Sequence, residues 1–114
     1  MQQRTTMTTP IEKFIKDGKV AVVYSPGFGA GWYTWNLSDE NSEHLLFDKI
    51  IVENVLKDDI QAAYNRAEEI CPDGYIGSQT LAVEWLPVGT KFRIDEYDGS
   101  EAVEIMDNIH WIEA

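Results

Sequence analysis

The pattern of apolar and polar positions predicts one fully buried strand near the start of the chain. Residues Lys19–Tyr24 read KVAVVY and lack the alternation of a half-exposed strand, which is typical of a strand covered on both faces. The Asp17-Gly18 turn precedes this strand. Before the turn, Ile11–Lys16 fits either a short helical turn or an edge strand. We therefore expect Lys19–Tyr24 in the middle of a sheet.

Two amphipathic helices are predicted in the centre of the chain. The first covers Lys49–Leu56, with Asp48 as its N-cap. The second covers Ile60–Ile70, with Asp58 or Asp59 as its N-cap. Its apolar residues recur on one face, and they are Ile60, Ala63, Tyr64, Ala67 and Ile70. Both helices are expected to pack on the sheet.

The last third of the chain predicts an antiparallel meander. Its predicted strands are Leu81–Leu86, Lys91–Tyr97, Glu101–Met106 and Ile109–Ile112. The fold class is therefore α+β, with a mostly antiparallel sheet and two helices packed on it. The 114 residues fit a single domain, in which residues 1–9 are expected to be flexible.

Composition narrows the class of partner. The formal net charge of -11 repels the backbone of DNA or RNA, so no nucleic-acid polymer is expected as a partner. Cys71 is the only cysteine, which excludes an intramolecular disulfide and fits a reducing compartment. Neither a run of about 18 apolar residues nor the apolar core of a signal peptide occurs. We expect a soluble cytoplasmic protein without a membrane partner.

A loop rich in glycine and aromatic residues follows the buried strand and is the strongest candidate binding segment. Glycines let a ligand approach backbone N–H groups, on which phosphates bind, and aromatic rings stack on bases. The candidate ligand residues here are Gly27, Phe28, Gly29, Ala30, Gly31, Trp32, Trp35 and Asn36. The alternative is a tight loop whose tryptophans only fill the core. The composition of the loop favours a nucleotide as the ligand.

Known nucleotide and catalytic motifs are absent from the sequence. The spacing GFGAGWYTWN lacks the third glycine and immediate helix of a dinucleotide site, and no Gly-Lys-Ser or Gly-Lys-Thr occurs. The two histidines, His44 and His110, belong to no metal-ligand or catalytic-triad spacing. We therefore expect no catalytic residue, no metal and no cofactor, and predict binding without turnover rather than an enzyme.

An anionic ligand needs a local cation on so acidic a chain. Arg93 is the best candidate because it lies within a predicted strand between apolar neighbours, and Lys49 at a helix start is a second. The alternative for Arg93 is an intramolecular ion pair with Glu84, Glu96 or Asp95.

Two blocks of the sequence resemble a known family. YSPGFGAGWYTWN and LAVEWLPVGTKFRIDEYDG together cover about a third of the chain and resemble the first-described Thoeris anti-defence family of small phage proteins. The resemblance implies a molecular sponge that binds cyclic ADP-ribose isomers made by bacterial TIR-domain enzymes and leaves them uncleaved, in the host cell cytoplasm. It implies a homodimer or higher homo-oligomer, and some members also bind cyclic oligonucleotides at separate sites. Arg93 is the natural counterpart of one family ligand arginine, whereas Lys49 cannot form a bidentate fork.

Two other classes of function remain open at this point. The charge of -11 is also typical of an acidic inhibitor that mimics DNA and blocks a host defence protein. A small enzyme acting on nucleotides would use Glu84, Asp95 and His44, but acidic residues are common on any surface.

Overall fold

The fold combines antiparallel strands with three helices. The computed structural model describes residues 10–27, 31–77 and 80–106. Its elements in chain order are β1 (Ile15–Lys16), β2 (Lys19–Tyr24), α1 (His44–Phe47), α2 (Lys49–Leu56), α3 (Ile60–Ile70), β3 (Ala82–Pro87), β4 (Phe92–Tyr97) and β5 (Ser100–Ile105). The predicted α+β class is confirmed.

Strand β2 occupies the centre of a three-stranded antiparallel sheet in the order β1-β2-β3. Asp17 and Gly18, both at positive φ, form the tight turn that joins β1 to β2. In the ladder with β3, Val22 lies opposite Glu84. Of the two interpretations of Ile11–Lys16, the edge strand is confirmed, although only its last two residues form a strand and Lys13 makes an isolated β-bridge to Asp48.

The two faces of β2 lie in separate apolar clusters, which makes this sheet the middle of three layers. Side chains alternate along a strand, so Ala21 and Val23 share one face and Val20 and Val22 the other. The first pair packs with buried residues of the helices, among them Ile51 and Ala63. The second pair packs with α1 and with apolar residues of the β4–β5 hairpin, namely Phe92, Ile94 and Val103. The predicted burial of both faces is confirmed.

The two long helices begin and end where the sequence predicts. The Asp48 side chain accepts a hydrogen bond from the Ile51 backbone N–H, and Asp59 accepts one from Ala62, so each aspartate caps its helix. Helix α1 was not predicted. It has only four residues and no side-chain cap, and its sequence HLLF is buried throughout. Tertiary packing rather than local sequence accounts for so short a helix.

The β4–β5 hairpin forms a second sheet of its own and does not extend the first. Its turn places Asp98 and Gly99 at positive φ, which matches the twist of a two-residue hairpin turn. The single sheet predicted from the sequence is therefore replaced by two. The reason lies in Phe92, Ile94 and Val103, which bury themselves against the face of β2 and so stack the hairpin on the sheet.

Two predictions fall outside the described residues: the flexible segment 1–9 and the strand Ile109–Ile112. Within the described ranges the longest helix, α3, has 11 residues, and no helix there is long and apolar enough to cross a bilayer.

Candidate functional site

The glycine loop that follows β2 is organised around one buried carboxylate from the hairpin. Glu101 is only 2% exposed. Its Oε1 accepts a hydrogen bond from the Ser25 backbone N–H at 3.0 Å, and its Oε2 accepts from the Trp32 N–H at 2.9 Å. Thr34 donates to Oε2 twice, from its backbone N–H at 2.8 Å and from its hydroxyl at 2.6 Å. Glu101 thus engages the backbone amide of Trp32, one of the predicted ligand residues, and the amides of Ser25 and Thr34 as well.

Backbone contacts also join this loop to the hairpin. The Glu101 N–H donates to the Ser25 carbonyl at 2.6 Å, and the Ser100 hydroxyl donates to the Pro26 carbonyl at 2.7 Å. A Cβ on Gly27 would lie 2.6 Å from the hydroxyl oxygen of the exposed Thr80, which would have to rotate away to make room for it. Three further candidates, Phe28, Gly29 and Ala30, lie outside the described residues.

Trp32 lies in the core, not at a ligand pocket. Its side chain is fully buried, and its indole N–H donates to the Leu45 carbonyl at 2.6 Å. The ring of Tyr64 packs beside it, with centroids 6.3 Å apart. A ring enclosed on all sides cannot stack on an incoming base. For Trp32, the alternative that the aromatic residue fills the core is the one that the structure supports.

Trp35 has a different environment and forms an exposed aromatic pair with Tyr75. The two ring centroids are 5.0 Å apart at an interplanar angle of 64°, an edge-to-face arrangement. Trp35 is 39% exposed and Tyr75 is 53% exposed. The Trp35 ring rests on Gly31, where any Cβ would collide with it. Two of the predicted ligand residues, Gly31 and Trp35, are therefore in contact. The ring beside them, Tyr75, was not predicted from the sequence.

Asn36 holds this aromatic pair in place. The residue is 4% exposed, and its Nδ2 donates to the carbonyls of Trp32 and Tyr75 at 2.7 and 3.0 Å. Its Oδ1 accepts from the Tyr75 N–H at 2.7 Å. Because both ends of its amide are engaged within the chain, Asn36 positions Trp35 and Tyr75 and does not itself present a polar group to a ligand.

Arg93 lies on the exposed face of the hairpin among carboxylates. Its Nε is 3.3 Å from Asp95 Oδ1, and an Nη is 2.6 Å from Oε1 of Glu104, its neighbour across the ladder. The Arg93 side chain is 59% exposed. The intramolecular pair considered for Arg93 is confirmed for Asp95, and Glu104 is an additional partner.

Lys49 lines a separate cleft of about 320 Å³, which is bordered by the start of α2 and the C-terminal half of α3. Its Nζ lies 3.6 Å from Glu12, and nearby Arg66 forms a two-pronged pair with the buried Asp48 at 3.0 and 3.1 Å. The hydrogen bond to Asp48 raises the pKa of the Arg66 guanidinium. With Glu69 also in the lining, three carboxylates face two cations there. The cleft is therefore poorly suited to a phosphate, and its described lining does not include Trp35 or Tyr75.

The described residues show no cluster of three or more His, Cys, Asp or Glu side chains that could hold a metal ion. His44, considered above for a nucleotide enzyme, is buried in α1 and lines the Lys49 cleft. Burial and, next, the Asp39 carboxylate raise the pKa of the Cys71 thiol to about 12, so this thiol is not poised as a nucleophile.

Comparison of the chain with protein-family models, with curated proteins and with solved structures gives no match.

Proposed function

We propose that this protein binds a cyclic nucleotide-type signalling molecule, such as a cyclic ADP-ribose isomer or a cyclic oligonucleotide, and sequesters it without cleaving it. The observation that carries the proposal is the exposed pair of Trp35 and Tyr75 beside Gly31. The resemblance of the two sequence blocks to Thoeris anti-defence proteins supports the same function.

The aromatic pair suits a base because each exposed ring offers a flat apolar face on which a base can stack. Stacking of a base on an aromatic side chain contributes about 1–3 kcal/mol. Asn36 is buried and holds the backbone at Trp32 and Tyr75 through three hydrogen bonds, so the backbone that carries the two rings has little freedom left to lose on binding. Preorganised rings give a sponge the affinity that it needs.

The surroundings of the pair favour binding over catalysis. Of the nearby polar groups, the Asn36 amide is occupied at both ends and the Glu101 carboxylate accepts four hydrogen bonds. A general base must reach the proton that it removes, and neither group is free to do so. We accordingly propose capture without turnover.

The proposal includes a homodimer or higher homo-oligomer acting in the cytoplasm of a phage-infected host. Arg93 and Lys49 are both paired with carboxylates of the same chain, so they add little to the case. Enclosure of the ligand between two subunits would slow its release, which is what sequestration requires.

Calorimetry of the intact protein with cyclic ADP-ribose isomers and cyclic oligonucleotides tests the proposal. We expect heat with at least one of them, and Trp35→Ala should weaken that binding about 5- to 150-fold, the loss of one stacking contact. Val88→Ala is the control, since Val88 is 58% exposed and bonds to Gly18 at the opposite end of β2 from the loop. Folded protein that gives no heat with any of these ligands would overturn the proposal.

Mass spectrometry of the recovered ligand separates a sponge from an enzyme. We expect the ligand to return with its mass unchanged after prolonged incubation with excess protein. A shifted mass would identify turnover and refute sequestration.

One observation favours a second candidate, an acidic inhibitor of a host defence protein. The β4–β5 hairpin carries Asp95, Glu96, Asp98 and Glu104 on its surface with Arg93 as the cation between them. This candidate predicts binding to a basic protein that weakens steeply as salt rises. Binding of this kind that Trp35→Ala leaves unchanged would favour it over the sponge.

A further inference from the structure

The donors around Glu101 form a receptor for an anion. Three backbone N–H groups and one hydroxyl, from Ser25, Trp32 and Thr34, converge on a single carboxylate at 2.6–3.0 Å. Convergent N–H groups of this kind bind anions in many proteins. Among the described residues no Lys or Arg forms an ion pair with Glu101, so hydrogen-bond donors alone stabilise the buried charge.

The receptor distinguishes the two oxygens of its anion. Among the described donors, Oε1 accepts from Ser25, whereas Oε2 accepts from Trp32 and from both donors of Thr34. Donors to both oxygens match an anion that presents two acceptor atoms, as a carboxylate does. An anion that replaces Glu101 must therefore present two oxygens and fit a space that is closed to solvent.

We propose that the loop segments containing Ser25, Trp32 and Thr34 form a carboxylate-binding site that the protein fills with its own Glu101. The site accepts a free small carboxylate when that side chain is shortened. Truncation of Glu101 to alanine removes one carbon and a carboxyl group, which together are an acetate ion. Acetate therefore replaces the missing atoms one for one.

The site also links the hairpin to the aromatic pair, a consequence that rests on the proposed function. Thr34 directly precedes Trp35, so a filled carboxylate site fixes the backbone from which Trp35 projects. Glu101 is in this sense a positioning residue for ligand capture, although its side chain is buried beneath the loop.

The experiment measures unfolding of Glu101→Ala in sodium acetate and in sodium chloride of equal ionic strength. At an acetate concentration ten times its Kd, we expect the ratio of folded to unfolded variant to rise about tenfold over chloride. Glu96→Ala is the matched control, because Glu96 also accepts a backbone N–H, from Gly99 at 2.7 Å, but lies outside the site. An acetate response no larger in Glu101→Ala than in Glu96→Ala and the unmodified protein would overturn the proposal.

A second variant covers the case in which Glu101→Ala does not fold. Glu101→Gln keeps the shape of the side chain but replaces one carboxylate oxygen by an NH₂ group, which cannot accept hydrogen bonds from the converging donors. The backbone amides of Ser25, Trp32 and Thr34 should therefore exchange their hydrogens at least about tenfold faster than in the unmodified protein. Amides of the β2–β3 ladder should be unchanged. Equal exchange at the three loop amides would contradict a carboxylate site. Neither the unfolding nor the exchange measurement uses a nucleotide. If the protein binds no nucleotide, the proposed function is refuted, but the result on the carboxylate site is unaffected.

Discussion

Trp32 and Trp35 lie three residues apart in the same loop, yet they belong to two different regions of the molecule. Trp32 is enclosed in the core, where its indole N–H bonds to Leu45. Trp35 lies on the surface, resting on Gly31 and packed edge-to-face against Tyr75. The inner region, which contains Trp32, anchors the loop in the core, and the outer region, which contains Trp35 and Tyr75, exposes the two rings that we propose bind the ligand.

The difference between the two regions comes from what holds each backbone segment. Glu101 draws the Trp32 and Thr34 amides inward, which directs the intervening chain toward the core. Asn36 instead ties the outer segment to Tyr75, across the loop that follows α3. Substitutions in the inner region should therefore reduce stability, and those in the outer region should reduce capture.

The largest expected effect is that of Trp32→Ala on folding. Removing a fully buried ring leaves a cavity and costs about 3–5 kcal/mol of the free energy of unfolding. The Leu45 carbonyl also loses its donor. Urea denaturation followed by circular dichroism measures the change.

Trp35→Ala is the matched control for this measurement and should lower the free energy of unfolding by about 1–2 kcal/mol, less than Trp32→Ala, since Trp35 is already 39% exposed to water. Equal losses from the two tryptophan variants would show that both rings belong to one packed core, and the distinction between the regions would fail.

The fold could be predicted where local sequence is decisive. Asp48 and Asp59 mark the starts of α2 and α3, and the uninterrupted apolar run of β2 marks a central strand. Helix α1 could not be predicted in the same way, because burial of its four residues by distant elements stabilises it. The separation of the strands into two sheets likewise depends on packing against the face of β2.

The candidate site could be predicted only in part. Glycine and aromatic composition indicates the loop and includes Gly31, Trp35 and Asn36 among the candidates. Tyr75 and Glu101 were missed because they reach the loop from 39 and as many as 76 positions away along the chain. Nothing in the alternating pattern around Glu101 distinguishes it from a surface carboxylate, and an aromatic residue after the Pro72-Asp73-Gly74 turn was the one local signal for Tyr75.

The next effect in size is that of Asn36→Ala. Asn36 connects the two regions, because its amide bonds to the backbone of both Trp32 and Tyr75. Loss of the amide leaves the Tyr75 N–H and the Trp32 carbonyl without partners and should cost about 1–3 kcal/mol of stability. Capture should also weaken, because Trp35 and Tyr75 are no longer held. Denaturation and calorimetry on the same variant measure both quantities.

Asn54→Ala is the control for Asn36→Ala. The Asn54 side chain donates to the Ile50 carbonyl on the exposed surface of α2, so its removal should change stability by no more than about 0.5 kcal/mol. If Asn36→Ala behaves like Asn54→Ala in both denaturation and calorimetry, the Asn36 amide does not position the aromatic pair.

The effect of pH, taken for each pH unit, is smaller again and concerns the inner region alone. The folded Cys71 thiol keeps its proton up to about pH 12, whereas its ordinary pKa is 9.0. Between these values the folded state binds more protons than the unfolded state, so stability falls as pH rises, by at most about 1.4 kcal/mol per pH unit. Chemical denaturation at a series of pH values measures the slope.

Cys71→Ala isolates this contribution, since every other titrating group is common to both proteins. The variant should show a shallower fall in stability above pH 9.0 than the unmodified protein. Identical slopes would mean that the thiol ionises as readily when folded as when unfolded, and that the end of α3 is open to water.

The smallest expected effect is that of Arg93→Ala, and it tests whether the outer region extends to the hairpin. Its pairs with Asp95 and Glu104 are about half exposed, so their loss should change stability by less than about 1 kcal/mol. Arg66→Ala should cost more, because it leaves the buried Asp48 carboxylate without its cationic partner. If the aromatic pair carries capture, Arg93→Ala should weaken ligand binding by less than about threefold, or ~0.6 kcal/mol. A tenfold weakening with stability intact would place Arg93 at the ligand and move the centre of the site from Trp35 to the hairpin.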